Sequence, residues 1–270
     1  MLEIKEIDKN KAISFVFKYH YSKIMPRLNK FYLGFFEDNV LKGVVTLGYG
    51  TQPLGTIKKI FPNHDYKTSD YLEIGKMCFS KDVNDNGAFG SQTISVLVKW
   101  LKQNMPSVQF LYTLADGIMG KVGYVYQASS FRYIGSFWTS VYMDENTKEK
   151  IHPRSAKQLC IENAKFENKT KIFWLTQRFC EHKGIAKIDG LMFRYIMPLN
   201  KKARKVLDSY EEYKNIKNPK ADSLVFKKRV GSKSFIKIEQ PQFNMNVFEN
   251  NYQKPTEVVS LFQEEDYGEE

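Results

Sequence analysis

Cysteine and histidine are scarce in this sequence, which has three cysteines and four histidines among 270 residues. Cys78, Cys160 and Cys180 stand far apart and are odd in number, so we do not expect a disulfide framework. Cys160, Cys180, His152 and His182 are residue types that bind zinc, but their spacing in the sequence is wider than that of structural zinc sites, so it does not favour one. These residues leave the presence of a metal undetermined.

Long apolar runs are also missing, since none reaches the ~18 residues that a membrane-spanning helix needs. The first residues, MLEIKEIDKNK, are charged and lack the apolar stretch of a secretory signal. No internal repeat is visible along the chain. We therefore expect a cytoplasmic protein that has no membrane partner.

Acidic residues are outnumbered by basic ones, with 30 Asp and Glu against 41 Lys and Arg, and the formal net charge is +11. The last fourteen residues, 257–270, hold six acids and no base, which leaves residues 1–256 with a charge of +17. A basic excess of this size predicts a polyanionic partner, most simply a nucleic acid. The alternative is a basic soluble protein that has no such partner.

Hydrophobic periodicity predicts helices and strands in alternation over the first half of the chain. Asp8 is placed to cap a helix whose apolar stripe runs to His20, and Pro26 prevents its continuation. The predicted segments are a helix at 8–20, strands at 30–36 and 40–48, a loop at 50–62, a strand at 71–79, a loop at 81–90, a helix at 91–104, a strand at 108–114, a short helix at 124–129 and a strand at 132–143.

The segment from 111 to 135 carries the strongest candidate site. Asp116 follows an apolar strand at its carboxyl end, which is where open sheets with parallel strands bind ligands. Three glycines and two tyrosines follow within ten residues, and glycine lets the backbone approach a ligand closely. The alternative is an ordinary strand–turn–helix corner in which Asp116 is only a cap.

A second candidate site lies in the loop before the helix at 91–104. Gly87 and Gly90 precede the helix, and Ser91 stands at its predicted start. Backbone N–H groups and the helix dipole make such a position suitable for a phosphate or another anion. We therefore expect these residues to contact a small-molecule donor, with simple N-capping by Ser91 as the alternative.

The chain becomes strongly basic after residue 145. Residues 146–205 hold fifteen Lys and Arg against five acids, interleaved with aromatic side chains. That mixture is typical of surfaces that contact phosphates and stack bases, and the alternative for the helix near 200–207 is a solvated basic face. The predicted nucleic-acid contacts are His152, Arg154, Lys157, Arg194, Lys201, Lys202, Arg204 and Lys205. We divide the chain into a catalytic domain at 1–145, a basic DNA-binding extension at 146–240 packed on it, and a mobile acidic tail at 241–270.

Several segments together resemble the Mom family of phage DNA-modification proteins, over about residues 10–207. The segments are Tyr19-His20-Tyr21-Ser22-Lys23 with Pro26, Ala115-Asp116-Gly117, Gly123-Tyr124-Val125-Tyr126-Gln127-Ala128, Phe131-Arg132-Tyr133-Ile134-Gly135, Ile151-His152-Pro153-Arg154-Ser155 and Phe193-Arg194-Tyr195-Ile196-Met197-Pro198-Leu199. The most specific of them is the block from Asp116 to Gly135.

The resemblance implies an α+β fold similar to the GNAT acyltransferases, with a mixed central sheet flanked by helices and a basic C-terminal extension. It also implies an enzyme that transfers a carbamoylmethyl group to the N6 amine of adenine in DNA, in an infected bacterial host, and so protects phage DNA from restriction. The family's functional residues fall on His20, Tyr21, Asp116 and Tyr126.

The chemistry of an adenine amine suggests roles for these residues. Its lone pair is delocalised into the ring, so a base such as Asp116 or His20 must remove its proton as the new bond forms. Tyr126 is then the acid for a leaving group, Tyr21 stacks on the base, and the base must be flipped out of a duplex or taken from a single strand.

The donor is either an acyl-CoA-like molecule or another activated two-carbon compound, and iron held by His20 and Asp116 is a further hypothesis. Two other functions stay open at this point: an acyl-CoA-dependent N-acetyltransferase, and a nucleic-acid-binding protein without catalysis.

Overall fold

The computed structural model describes residues 2–83, 88–151, 157–231 and 234–244, with Lys157 described by its backbone alone. The helices are α1 (Lys9–Tyr19), α2 (Pro53–Ile60), α3 (Ala88–Asn104), α4 (Tyr124–Ala128), α5 (Lys157–Phe166), α6 (Gln177–Lys183), α7 (Lys201–Ser209) and α8 (Glu211–Lys214). The strands are β1 (Glu3–Glu6), β2 (Asn29–Glu37), β3 (Val40–Gly48), β4 (Tyr71–Phe79), β5 (Phe110–Asp116), β6 (Arg132–Asp144), β7 (Lys150–Ile151), β8 (Ile185–Pro198), β9 (Phe226–Arg229) and β10 (Phe235–Ile238).

The described strands form one mixed sheet in the order β1-β2-β3-β4-β5-β8-β6-β7, with β9 paired to β8 and β10 paired to β9. β4 and β5 run parallel, and the other neighbouring strands run antiparallel. Helices cover both faces, because α3 contributes Ile94, Leu97 and Leu101 to one core and α7 contributes Ala203 and Leu207 to another. The predicted α+β class, with a mixed central sheet flanked by helices, is confirmed.

The separation of β4 from β5 positions the site. The two strands are paired only from Tyr71 to Ile74 on β4 and from Phe110 to Thr113 on β5. Beyond these pairs β4 continues against β3, whereas β5 continues against β8 as far as Asp116. A cleft therefore opens between the carboxyl ends of two parallel strands, which is where open sheets bind ligands.

Helix α1 brings a second group of residues to this cleft. The Asp8 side chain accepts hydrogen bonds from Asn10 N at 2.7 Å and Lys11 N at 3.3 Å, which confirms the predicted cap. Residues along one face of the helix are buried beneath β3 and β4, so its register is fixed by packing. The helix ends at Tyr19, and His20 has extended backbone angles that turn the chain towards the cleft.

Two predicted boundaries are wrong. Residues 53–60, expected as loop, form α2, which starts with Pro53 and buries Ile57 and Ile60 against the sheet. Helix α3 begins at Ala88 rather than at residue 91, so Gly90 and Ser91 belong to its first turn. The Ser91 hydroxyl donates to Ala88 O at 2.9 Å and is therefore not the N-cap.

The predicted division at residue 145 cuts through the sheet. Strand β8, which comes from the predicted extension, pairs with β5 on one side and with β6 on the other. Residues 243 and 244, which the prediction assigns to the mobile tail, are packed: Phe243 contacts an apolar cluster and Asn244 N donates to Lys148 O at 2.9 Å. Residues 245–270 lie outside the described part of the chain. None of the described helices is long and apolar enough to cross a bilayer.

Candidate active site

A cavity of about 640 Å³ lies between the separated ends of β4 and β5. Its walls come from the segment after α1, the second half of β4, the end of β5, and the residues from Gly120 to Tyr126. All four predicted catalytic residues line it: His20, Tyr21, Asp116 and Tyr126. Residues that are distant in sequence therefore meet around one space, as catalysis would require, although their roles stay a prediction.

His20 is a buried, neutral ring. Its Nδ1 lies 2.9 Å from Ser22 N and 3.0 Å from Ser22 O, and Ser22 O also accepts from Lys76 Nζ at 3.2 Å. Burial and the nearby positive charge of Lys76 hold the pKa of His20 well below its usual 6.5. A neutral imidazole has one donor and one acceptor nitrogen, and the contacts of Nδ1 with both backbone groups of Ser22 are compatible with either tautomer.

Tyr21 stacks on this ring, with the two ring centroids 4.3 Å apart and their planes at 28°. Burial, together with the neighbouring Asp116 and Tyr126, raises the pKa of the Tyr21 phenol well above 10. Tyr21 therefore keeps its proton at neutral pH and serves as a hydrogen-bond donor or a stacking surface.

Asp116 is the last residue of β5, and its two carboxylate oxygens differ in their hydrogen bonding. Oδ2 accepts an ion-pair hydrogen bond from Lys150 Nζ at 3.2 Å. Oδ1 is buried and has no hydrogen-bond partner among the described residues. An unsatisfied buried carboxylate oxygen costs free energy unless a ligand supplies an N–H or O–H. Oδ1 thus fits an incoming donor group such as an amine.

Lys150 is the residue at this site that the sequence analysis missed. It lies in β7, is 5% exposed, and stands over the rings of Tyr21 and Phe243 with its Nζ 5.7 Å from each centroid. Buried lysines are rare unless paired, which singles it out in the structure. In sequence its sole signal is its position directly before the segment from Ile151 to Ser155 that carries part of the family resemblance.

Tyr126 enters the cavity from α4. Gly123, with φ of +87°, forms the N-cap of this helix. A Cβ atom at this position would lie 2.6 Å from Tyr195 Cε2, so the close approach of the backbone to Tyr195 requires glycine. Tyr126 packs between Phe131 and Tyr195. Burial raises the pKa of its phenol, which the Thr113 hydroxyl partly offsets, so the hydroxyl is protonated at neutral pH.

Gly90, one of the predicted donor-binding residues, lies beside this cavity. Gly90 in the first turn of α3 packs against Val125, and a Cβ atom added at Gly90 would lie 2.6 Å from Val125 Cγ2. Val125 itself lines the cavity. The amide groups of a first helical turn have no partner within the helix. Gly87 lies outside the described residues, so donor binding by this group stays a prediction.

The predicted nucleic-acid residues fall at two distances from Asp116. Arg194 is close, since it pairs with Leu114 on β5 and donates from Nη2 to Ile134 O at 3.0 Å. Helix α7 is further away, because it follows the end of β8 that pairs with Phe110. Phe110 lies six residues before Asp116 on β5, which corresponds to about 20 Å along the strand. His152 and Arg154, and the side chain of Lys157, lie outside the described part.

The iron hypothesis does not fit the residues present. Across the described ranges no three side chains among His, Cys, Asp and Glu come close enough to hold a metal ion. Asp116 Oδ2 is already engaged by Lys150, and the ammonium group beside it repels a cation. We therefore derive no step through iron.

The fold agrees with the one that the family resemblance implies. It has an antiparallel arm, a parallel pair that separates, a helix between the parallel strands and a cavity at their carboxyl ends, as expected of a GNAT-like fold. The sequence model of the Mom protein family matches residues 1–220. The chain belongs to the Mom protein family.

Individual relatives are similar at different levels. The methylcarbamoylase Mom of Escherichia phage Mu is 29% identical over 190 residues, which is 70% of this chain and 72% of that protein. The aminoglycoside acetyltransferase AAC(6')-Ib, solved with coenzyme A, is 9% identical with a TM-score of 0.38 over 51% of this chain and 87% of its own. A Bacillus subtilis acetyltransferase, also solved with CoA, is 13% identical with a TM-score of 0.38 over 74% of this chain and 98% of its own.

Proposed function

We propose that this protein modifies phage DNA by transferring a small, carbamoylmethyl-type group to the N6 amine of adenine, and that the modification protects the DNA from host restriction. Membership of the Mom family and the name of the phage Mu relative support a group transfer of this kind. The observation that carries the proposal is the free, buried Oδ1 of Asp116 inside a cavity that also holds His20, Tyr21 and Tyr126.

Asp116 is the proposed general base. Oδ1 accepts a hydrogen bond from the N6 amine and takes one proton as nitrogen attacks the methylene carbon of the donor. Lys150 holds Oδ2, which fixes the direction in which Oδ1 points. His20 is less suited to this role, because its Nδ1 is already in contact with both backbone groups of Ser22.

Tyr126 is the proposed general acid. As the new N–C bond forms, the bond from the methylene carbon to the leaving group breaks, and the leaving group departs with the electron pair. Tyr126 is protonated at neutral pH and donates its proton to that atom. The stacked rings of Tyr21 and His20 are proposed to orient the adenine ring. For this step the donor is proposed to be an activated two-carbon compound whose methylene carbon carries the leaving group. An acyl-CoA-like donor, the other candidate, would be attacked at its carbonyl carbon, lose the thiolate and leave an acyl group on N6.

The target base must leave the duplex to reach this site. The carboxylate lies at the end of a cleft between strands, and a stacked base cannot enter such a cleft. Arg194 and the cations of α7 are the proposed phosphate contacts, with Arg194 nearest the carboxylate.

Mass spectrometry of nucleosides from plasmid DNA tests the proposal. The full chain is expressed beside Asp116→Asn, Tyr126→Phe and the exposed control Asp65→Asn. We expect a deoxyadenosine adduct with wild type and with the control, carrying one carbamoylmethyl group in place of one hydrogen, and no adduct with the two cavity variants. DNA binding, measured by fluorescence anisotropy, should survive in both.

Three results would count against the proposal. An adduct that persists in Asp116→Asn would remove the carboxylate from the reaction. No adduct from folded wild type that acetylates a small amine would instead favour an acyl-CoA-dependent N-acetyltransferase. Salt-dependent DNA binding without any transfer would favour the non-catalytic function.

A further inference from the structure

Two large aromatic side chains stand exposed in the middle of strand β6. Phe137 is 43% exposed and its neighbour Trp138 is 48% exposed. Successive side chains of a strand point to opposite faces, so the two rings flank the strand on its two sides. Single exposed apolar residues are common on proteins, so the position of these two decides whether they form a binding surface.

Phe137 and Trp138 lie on an open edge of the sheet. β8 pairs with β6 along one side, whereas β7 pairs with the other side only at Tyr142 and Met143. Among the described strands, none lies on the outer side of β6 between residues 132 and 141. Proteins normally protect such an edge with charges, because an apolar edge strand attracts other chains. Two aromatic rings at this position instead favour a surface that a partner covers.

A β-bulge in β6 decides which side chain faces the candidate active site. The register of β6 against β8 shifts by one residue after Tyr133, and Gly135 lies in this bulge with φ of +94°. As a result Phe137 stands opposite Met192, where an uninterrupted ladder would place Ser136. Bulges beside functional sites commonly re-aim a side chain in this way.

Phe137 shares a register line with Asp116. Asp116 pairs with Met192 from one side of β8, and Phe137 pairs with Met192 from the other side. Side chains directly opposite each other in antiparallel strands lie on the same face of the sheet. Because neighbouring strands are about 4.8 Å apart, the Cα atoms of Phe137 and Asp116 are about 10 Å apart. A strand of duplex DNA advances about 3.4 Å per nucleotide, so the ring lies within about three nucleotides of a base held at Asp116.

Lys227 and Lys237 border the ring of Trp138. Lys227 Nζ is 4.3 Å from the centre of the ring, and Lys237 pairs with Lys227 in register. The same register line continues to Asp189, whose Oδ1 accepts a hydrogen bond from Ser140 Oγ at 2.7 Å. This line of side chains therefore holds two cations against one acid.

Arg194 gives the Phe137 side of the edge a positive charge. It lies two residues beyond Met192 on β8, and side chains two positions apart on a strand share a face. Together with the formal net charge of +11, these cations favour a polyanion over a second copy of this basic chain. Among polyanions, a nucleic acid has the ring faces that stack on exposed aromatic side chains.

We infer that Phe137 and Trp138 form a stacking edge that holds unpaired bases of the DNA beside the flipped adenine, while Lys227 and Arg194 contact its phosphates. The inference rests on the proposed function for DNA as the substrate. A flipped base leaves its neighbours without a stacking partner on one side, and an aromatic ring replaces that partner. The stacking edge therefore lowers the cost of bringing adenine into the cavity.

Fluorescence anisotropy of labelled DNA with the full chain tests the stacking edge. Two probes share one sequence: a perfect duplex, and a duplex in which three nucleotides around one adenine are unpaired. We expect wild type to bind the unpaired probe more tightly. Phe137→Ala and Trp138→Ala should each weaken binding of this probe about fivefold or more, because alanine removes the ring on which a base stacks. Phe137→Tyr keeps the ring and should bind like wild type.

Further variants separate stacking from other effects. Phe235 in β10 is also 43% exposed but lies outside the register line of Asp116, so Phe235→Ala should leave binding unchanged. Removing a neutral ring releases no counterions, so the alanine variants of the stacking edge should keep the wild-type dependence of affinity on salt. Lys227→Gln should instead flatten that dependence by about one logarithmic unit for the lost phosphate contact.

The inference fails if Phe137→Ala and Trp138→Ala bind the unpaired probe like wild type, or if Phe235→Ala weakens binding as much as they do. It also fails if sedimentation velocity shows a wild-type dimer that both variants dissociate, because the edge then binds a second copy. Both side chains are exposed, so the variants are expected to fold, and circular dichroism checks this.

The same variants distinguish this inference from the proposed function. Unchanged DNA binding in Phe137→Ala and Trp138→Ala, with an adenine adduct from wild type, would refute the stacking edge alone. Weakened DNA binding in both variants, with no adduct from wild type, would refute the proposed transfer and leave the stacking edge standing.

Discussion

Removal of the Lys150 ammonium is the sharpest test of how the cavity is held together. Lys150→Met keeps most of the side-chain volume in contact with Tyr21 and Phe243 but removes the charge that faces Asp116. The pair is 3.2 Å long, with side chains 5% and 17% exposed, so Asp116 becomes a nearly buried carboxylate without a partner. Breaking a buried pair from one side costs about 3–5 kcal/mol, and the partial exposure of Asp116 places the expected loss near the lower end.

Urea unfolding at pH 7.5, followed by circular dichroism, measures this loss. The control is Lys183→Met, which breaks a surface pair with Glu162 at 2.8 Å whose side chains are 40% and 36% exposed. Surface pairs contribute at most about 1 kcal/mol, so this variant should lose little. Adding Asp116→Asn to Lys150→Met removes the stranded charge and should recover part of the stability.

Two outcomes would refute the reasoning. A loss in Lys150→Met no larger than in Lys183→Met would show that water compensates Asp116 and that the pair is not effectively buried. Strict additivity of Lys150→Met and Asp116→Asn would show that the two side chains do not interact in solution, since contacting residues couple in a double-mutant cycle.

Two further predictions concern pH and salt. Because burial holds the pKa of His20 well below its usual 6.5, its contribution to stability is complete above about pH 6.5 and is lost as the pH falls through the folded pKa. Urea titrations between pH 7.5 and 5.5 should show that His20→Asn loses less stability than wild type on acidification, by up to about 1.4 kcal/mol per pH unit, and parallel curves would contradict this. Reversing the four cations of α7 should weaken DNA affinity and flatten its dependence on salt by about one logarithmic unit per lost phosphate contact, whereas an unchanged slope in anisotropy titrations would remove α7 from the DNA surface.

Local features of the fold could be predicted from the sequence because local interactions determine them. Asp8 caps α1 through bonds to residues two and three positions ahead, and these depend on sequence spacing alone. The hairpin of β2 and β3 turns through Asp38 and Asn39, both with positive φ, which are the residue types that such turns favour. The position of Asp116 at the end of a strand was likewise visible in the apolar run before it.

The missed features depend on contacts that spacing does not encode. Helix α2 was expected as loop, yet Ile57 and Ile60 are buried because they pack in one cluster with Tyr71 and Phe110. Tertiary packing thus overrides the local signals. The partner of Asp116 was missed because Lys150 reaches it through the pairing of β7 with β6, and a two-residue strand has no periodicity to detect.

The position of β8 in the sheet has a consequence for the newborn chain. β5 and β6 leave the ribosome first, but the strand that joins them is made last of the three. Until β8 has been synthesised, β5 exposes one unpaired edge, which can pair incorrectly with other strands or other chains. The wall behind Asp116 is completed only when most of the polypeptide has been synthesised, so the timing of translation itself delays the appearance of a working cavity.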